Sequence, residues 1–494
     1  MLSKLIKLSK LMLIGSLLMN VAIANEQDGT RIYANEQAIV FETMDGLTTD
    51  AFSGFMLVPE NRNNPKSRMI TVKYVRFPAT GKSHVTPIIY LSGGPGGSGI
   101  DTAKYPNFRF PLFMALREFG DVIALDQRGT GASNDTPKCV SSQVIGLTDV
   151  LTEPLVTQRY QQAVTECVAF WQSKDIDVLG YTTVQSALDI NDLRLHFKAE
   201  KVTLWGISYG SHLALAAMKI MPDNIDKVVM ASAEGLNQTV KLPAQTDAYF
   251  GRLQQAINTQ PAAAAQFPDI IAMIKRVHKR LGEKPMLVGM PQKDGASKDL
   301  LLQTPHLQGM ASALVADPHR GVGHLLALYF TLDKGSDVVL QEMLKHGFIN
   351  DEPITLNLMS TAMDIASGIS DERLALVNQQ AKTALLGAAL NFPMPLLNKA
   401  IANLDLGDDF RQGPVNNIPT LLLTGTLDGR TYIEGQQEAT AGLKALTQVM
   451  VVNGGHNVFM LSPKVTDVIK TFLKGEAVTT AAIEVDLPSF AMKH

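Results

Sequence analysis

The sequence predicts an α/β fold: a mostly parallel sheet flanked by helices and interrupted by a large helical insertion. Two observations predict it. Short, almost uninterrupted apolar runs recur at residues 87–91, 122–125, 202–205, 227–230, 420–423 and 449–452, the pattern of parallel strands buried on both faces. Helix-like stretches such as 186–196 and 211–221 alternate with them, and alternating strands and helices wind a parallel sheet with right-handed crossovers.

Earlier in the chain, residues 52–58 and 69–77 are rich in β-branched and aromatic side chains and read as an antiparallel lead into the sheet. The stretch 236–410 differs: it is rich in Ala, Leu, Met and Gln, with helical periodicity at 253–257, 270–281, 325–330, 338–344 and 374–390 and no recognisable strand. We therefore expect a helical cap over 236–410, inserted into one discontinuous α/β domain made of 25–235 and 411–494.

At the start, Lys4, Lys7 and Lys10 precede an apolar stretch from Leu11 to Val21, and Ala22-Ile23-Ala24 follows. That is the pattern of a cleaved signal peptide over 1–24, and the apolar stretch is shorter than the ~20 residues a spanning helix needs. Export to a periplasm or beyond is the expectation, with no stable membrane anchor after cleavage. An oxidising compartment favours pairing Cys139 with Cys167, two separate buried thiols being the alternative. The formal net charge of −3 gives no electrostatic reason to expect nucleic acid as a partner, and no Cys/His cluster has metal-binding spacing.

Gly206-Ile207-Ser208-Tyr209-Gly210 follows a predicted strand and precedes a predicted helix. A serine there sits on a sharp turn with its hydroxyl exposed, and the glycines let the backbone crowd together. A serine hydroxyl needs a base within hydrogen-bond reach, and the base needs an orienting acid. Asp428, in Gly425-Thr426-Leu427-Asp428-Gly429, and His456, in Gly454-Gly455-His456-Asn457, each lie just past a predicted strand. That is the edge where open α/β sheets place their ligands. His212, four residues beyond Ser208, ranks second as base because the helix would carry it away.

Ser92-Gly93-Gly94-Pro95-Gly96-Gly97-Ser98-Gly99 directly follows another strand. Such a loop can supply one oxyanion-binding amide, from Gly94 or its neighbour Gly93, and the residue after the nucleophile, Tyr209, the other. Gly94 to Gly99 also spells a dinucleotide fingerprint, with Asp126 placed where that reading puts a ribose-binding acid. Pro95 and the Pro-rich, aromatic sequence that follows oppose that reading, and so does the export signal. Asp126-Gln127-Arg128-Gly129-Thr130-Gly131-Ala132-Ser133 suggests a tight loop in which Asp126 and Arg128 brace the cleft.

Taken together, GGPGGSG at 93–99, DQRGTGAS at 126–133, YTTVQSALDINDLR at 181–194, WGISYGSHLAL at 205–215, GTLDGRT at 425–431 and GGHN at 454–457 resemble the proline iminopeptidase and tripeptidyl aminopeptidase group of serine peptidases. The resemblance covers the sheet-forming part and reaches the insertion only loosely. It implies an α/β-hydrolase core with a helical cap, a triad of Ser208, Asp428 and His456, no cofactor or metal, and release of one or a few residues from peptide amino termini. It also implies acids that hold the substrate ammonium, for which Glu234 is the candidate. The chain departs from the group where Ser92 stands in place of the usual His at the head of the glycine loop. An esterase or lipase with the same triad, and a catalytically inactive binding protein on the same fold, are the alternatives. Residue preference and oligomeric state are not legible.

Overall fold

The computed structural model describes residues 25–27, 30–81, 86–237, 240–292 and 296–492; the expected signal segment 1–24 lies outside them. Ten strands form the central sheet among the described residues: Glu36–Glu42 (β1), Thr48–Pro59 (β2), Met69–Phe77 (β3), Ile88–Leu91 (β4), Val122–Leu125 (β5), Val202–Ile207 (β6), Ile225–Ala231 (β7), Thr420–Gly425 (β8), Leu446–Val452 (β9) and Ala482–Glu484 (β10). Their spatial order is β10-β9-β8-β7-β6-β4-β5-β3-β2-β1. Every pairing from β5 through β10 is parallel, and β1, β2 and β3 are added antiparallel at the other edge. The parallel strands β4, β5, β6 and β8 are buried along their whole length, which is why they read as apolar runs and not as alternating ones.

Register decides where the loops meet. Leu91 pairs with Gly206, Ile207 with Ala231, Ala231 with Leu423 and Leu423 with Val449. The segments leaving β4, β6, β7, β8 and β9 therefore emerge along one edge. One face of the sheet packs Phe113, Trp205, Val449 and Phe472 into a core, and the other packs Trp171, Ile190, Leu204 and Leu213.

Between β7 and β8 the chain leaves the sheet for a long, mostly helical excursion. Its helices Pro243–Asn258, Ile270–Glu283, Thr304–Leu314 and Gly323–Asp333 build a separate core around Phe250, Leu253, Ile274 and Leu328. The helix Leu358–Ser367 instead gives Met359, Ala362, Met363 and Ala366 to the core of the sheet.

Three features differ from the sequence expectation. Met286–Pro291 and Ser297–Leu302 pair as an antiparallel hairpin inside the excursion. The periodicity over 374–390 breaks after the helix Asp371–Ala381, where Asp247 Oδ1 accepts the Leu385 N–H at 2.9 Å in place of a helical carbonyl. Finally, Pro488, Phe490 and Met492 bond through their backbones to Gln260 and Gln266, so the C-terminal stretch packs on the excursion and not on the sheet.

Cys139 and Cys167 form a disulfide, with Cα atoms 5.5 Å apart. It fastens the short strand Cys139–Val140 to the helix Glu153–Gln172, and the same short strand pairs with Thr355–Leu356 just before the helix Leu358–Ser367. Closing a loop of 28 residues should stabilise by about 3–4 kcal/mol. A Cys139→Ala, Cys167→Ala double variant should lose about that much in urea unfolding, with an unchanged midpoint as the contrary result.

Candidate active site

Ser208 directly follows β6 and caps the helix Tyr209–Ile220 with φ +54° and ψ −128°. A non-glycine residue adopts that conformation only where its surroundings over-determine it. Here its N–H donates to Ala231 O at 3.2 Å, and its carbonyl accepts from Ser211 N–H at 2.8 Å and Ser211 Oγ at 2.5 Å. The turn closes tightly enough that a Cβ on Gly206 would lie 2.6 Å from Gly210 O, so this crossing admits no side chain.

Asp428 is fully buried, and four donors converge on its carboxylate. Arg430 N–H and Thr431 N–H reach Oδ1 at 2.8 and 2.9 Å, Thr431 Oγ1 reaches Oδ2 at 2.6 Å, and His456 Nδ1 lies 3.1 Å from both oxygens. Burial alone would push the Asp428 carboxyl up. The His456 charge and the hydrogen bonds from His456 and Thr431 outweigh it and hold the carboxyl below its ordinary range. The His456 ring is thus oriented through Nδ1. No hydrogen bond joins Ser208 Oγ to His456 among the described residues; such bonds tighten when substrate binds. Ser232 Oγ donates to His456 O at 2.7 Å, and Ser232 follows Ala231, the acceptor of the Ser208 amide. The backbones carrying Ser208 and His456 are therefore tied through one residue pair.

The glycine loop lies against the nucleophile: a Cβ on Gly93 would stand 3.2 Å from Ser208 Cβ and 3.7 Å from its Oγ. Gly94, at φ +128°, and the cis Gly94–Pro95 bond turn the chain sharply there, and the amides of Gly93 and Gly94 donate to no protein group among the described residues. The Tyr209 amide opens a helix, where N–H groups lack intrahelical acceptors.

Asp126 and Arg128 brace this region as expected of them. Asp126 accepts from Ser98 Oγ, Ile100 N–H and Ala132 N–H at 2.7–3.0 Å and is fully buried, which closes it to a ribose. Arg128 is fully buried, doubly bonded to Asp189 and bonded to Glu60 O and Gly180 O. His212 is buried with Nδ1 on Gly235 O at 3.1 Å and Nε2 on Ser367 Oγ at 3.0 Å. Both nitrogens are engaged away from the serine, and burial pulls the ring down in pKa. Glu234 is buried and paired with Lys241, and with Lys241 and Thr431 it lines one small cavity. Near it, burial and the repulsion of Glu234 push the Asp364 carboxyl up to about 7.

Sequence reading missed several neighbours. Thr431 was signalled by its place three residues after Asp428, where a hydroxyl and an amide can both return to the carboxylate. Arg109, which donates to Asn457 beside the base at 3.3 Å and stacks on Phe108 and Phe459, carried no signal in the chain. Nor did residues 315–318 of the excursion: Ala316 O accepts the His456 N–H at 2.9 Å, and a Cβ on Gly455 would lie 2.6 Å from Pro318 Cδ.

Sheet order, elbow and strand-end loops together give this chain the α/β-hydrolase fold. A family described as alpha/beta hydrolase fold matches residues 86–298, a stretch that includes Ser208 and ends before Asp428 and His456. Among curated proteins the chain is 26% identical to serine protease Hip1 of Mycobacterium tuberculosis (strain ATCC 25618 / H37Rv), over 37% of this chain and 36% of that one. It is 25% identical to the tripeptidyl aminopeptidase of Streptomyces coelicolor, over 36% and 34%. It is 27% identical to YuaR of Escherichia coli (strain K12), named as a hydrolase, over 39% and 35%. The matches thus span about a third of the length of these relatives. The resemblance read from the motifs is the one these names bear.

Asp428→Asn should lower kcat by about 10⁴, since the amide would select the wrong imidazole tautomer. Because the wild-type carboxyl is held below its unfolded value, it stabilises the fold above pH ~4 and loses that contribution as pH falls through the folded value. Unfolding curves of wild type and Asp428→Asn should therefore converge as the solution is acidified from pH 5 to 2, and a constant gap would contradict the assignment.

Proposed function

We propose that the protein is an exported serine peptidase that releases one or a few residues from the amino termini of peptides. The observation that carries the reading is the His456 Nδ1–Asp428 pair at 3.1 Å, on the same sheet edge as a strained Ser208. His456, oriented by Asp428, takes the Ser208 proton as Oγ attacks the scissile carbonyl. The carbonyl oxygen gains charge and is held by the amides of Gly94 and Tyr209. His456 returns the proton to the leaving amine, the acyl-enzyme forms on Ser208, and water attacks it by the same route in reverse. These steps need no group beyond the chain and water.

Glu234 is our assignment for the substrate ammonium. Its carboxylate is shared with Lys241, and Asp364 adds a second carboxyl close by. The excursion is the cap that limits entry to extended or small substrates. The names of the relatives favour peptides over simple esters. The disulfide fits an oxidising compartment outside the cytosol; among the described residues no helix is long and apolar enough to cross a membrane.

A panel of aminoacyl and tripeptidyl arylamides set beside short acyl esters tests the reading on purified protein. Arylamide turnover that Ser208→Ala reduces by about 10⁶ is the expected result; ester turnover without amide turnover would make the protein an esterase. Glu234→Gln should raise KM about tenfold for substrates with a free amino terminus and leave N-blocked ones unchanged. Equal effects on both would remove the ammonium assignment.

A further inference from the structure

The glycine loop carries two free amides beside the nucleophile, and its first peptide is held by a group the mechanism has not used. Gln127 is 2% exposed, and its Nε2 donates to Ser92 O at 3.3 Å. Its Oε1 is buried and has no hydrogen-bond partner among the described residues. The acceptor fixes the orientation of the amide, since only the NH₂ end can serve a carbonyl. A buried acceptor left unpaired is costly, so the side chain keeps this orientation at some expense to stability.

A trans peptide is a rigid plane whose C=O and N–H point in opposite directions. Anchoring Ser92 O therefore aims the Gly93 N–H the other way. The next plane is anchored in the same manner, because Gly97 N–H donates to Gly93 O at 3.1 Å and so aims the Gly94 N–H. Two hydrogen bonds, one from Gln127 and one internal to the loop, thus orient the consecutive amides that lie against Ser208. Glycine cannot do this unaided, because its backbone is the least restricted of any residue. Ser92 itself offers no substitute, since its Oγ turns toward Gly97, where a Cβ would meet it at 2.7 Å.

We infer that Gln127 is a positioning residue for the oxyanion site: by holding the Ser92 carbonyl it fixes the Gly93 amide, and with it the start of the loop whose own Gly97–Gly93 bond aims the Gly94 amide, where charge develops on the substrate oxygen. The inference rests on the serine-hydrolase reading of Ser208. Preorganised donors act on the transition state more than on the bound substrate, so the effect belongs to kcat and not to KM.

The test uses Gln127→Met, which keeps the length and loses the donor, and Gln127→Leu as a second apolar replacement should the first fail to fold. Each is assayed well below its own unfolding temperature for kcat, for KM, for the inhibition constant of a peptide boronate that forms a tetrahedral adduct on the serine, and for that of a peptide product. A kcat about tenfold or more below wild type is expected, with KM within twofold. The boronate should weaken by the same factor and the product should bind as before. A folded variant with unchanged kcat and boronate affinity overturns the role of Gln127. Parallel losses for boronate and product do so as well, because they would report general damage to the cleft. Wild-type protein that a fluorophosphonate fails to label at Ser208 defeats the hydrolase reading itself, a result separate from either.

Discussion

The cleft depends on the parallel register of β4, β6, β7, β8 and β9. Because Leu91, Gly206, Ala231, Leu423 and Val449 stand in neighbouring rows, every segment leaving these strands starts from the same edge. The five segments supply the glycine loop, the elbow, Ser232, Asp428 and His456. Interior strands of this kind have no freedom to slip, since they are buried on both faces and hydrogen-bonded on both sides. The scaffold can therefore hold Ser208 in an unfavourable conformation, at a cost of about 1–3 kcal/mol, that a surface loop would release.

The charged groups around the edge follow the same logic. Arg128 is buried without exposure to water, and Asp189, Glu60 O and Gly180 O together satisfy it. A buried guanidinium tolerates the interior only when its donors are used in this way. Through it the DQRG loop is locked to the helix Thr183–His196 and to the end of β2. Asp126 and Gln127, next in the chain, then reach the glycine loop from a fixed base. A second polar cluster joins the elbow helix to the helix Leu358–Ser367. His212 meets Ser367, and Tyr209 OH meets Met363 Sδ at 3.1 Å and Thr183 Oγ1 at 3.1 Å. The disulfide and the strand Thr355–Leu356 hold that same helix from its other end.

Much of this was legible in the chain because burial on both faces writes itself as apolar runs. The parallel strands, the elbow and the loops bearing Asp428 and His456 could all be placed that way. The hairpin Met286–Pro291 with Ser297–Leu302 could not: Met286 and Leu287 are exposed while Val288 and Met290 are buried, so no polar contrast marks the alternation. β1 escaped notice for a related reason, being an edge strand with Val40 exposed, and β10 is only three residues long. Thr431, Gln127 and Arg109 act through contacts that the fold creates. Periodicity says nothing about which carbonyl a buried amide will find.

One bond across the cleft constrains how the cap and the sheet can have evolved and how they can move. The N–H of His456 is satisfied by the carbonyl of Ala316, so His456 has half its local backbone pairing on an element that belongs to the excursion. A lid hinged as a rigid body would strip that amide of its acceptor each time it opened. For the same reason a chimera that exchanges the excursion for a foreign one must keep the short seam at 315–318, whatever else it replaces.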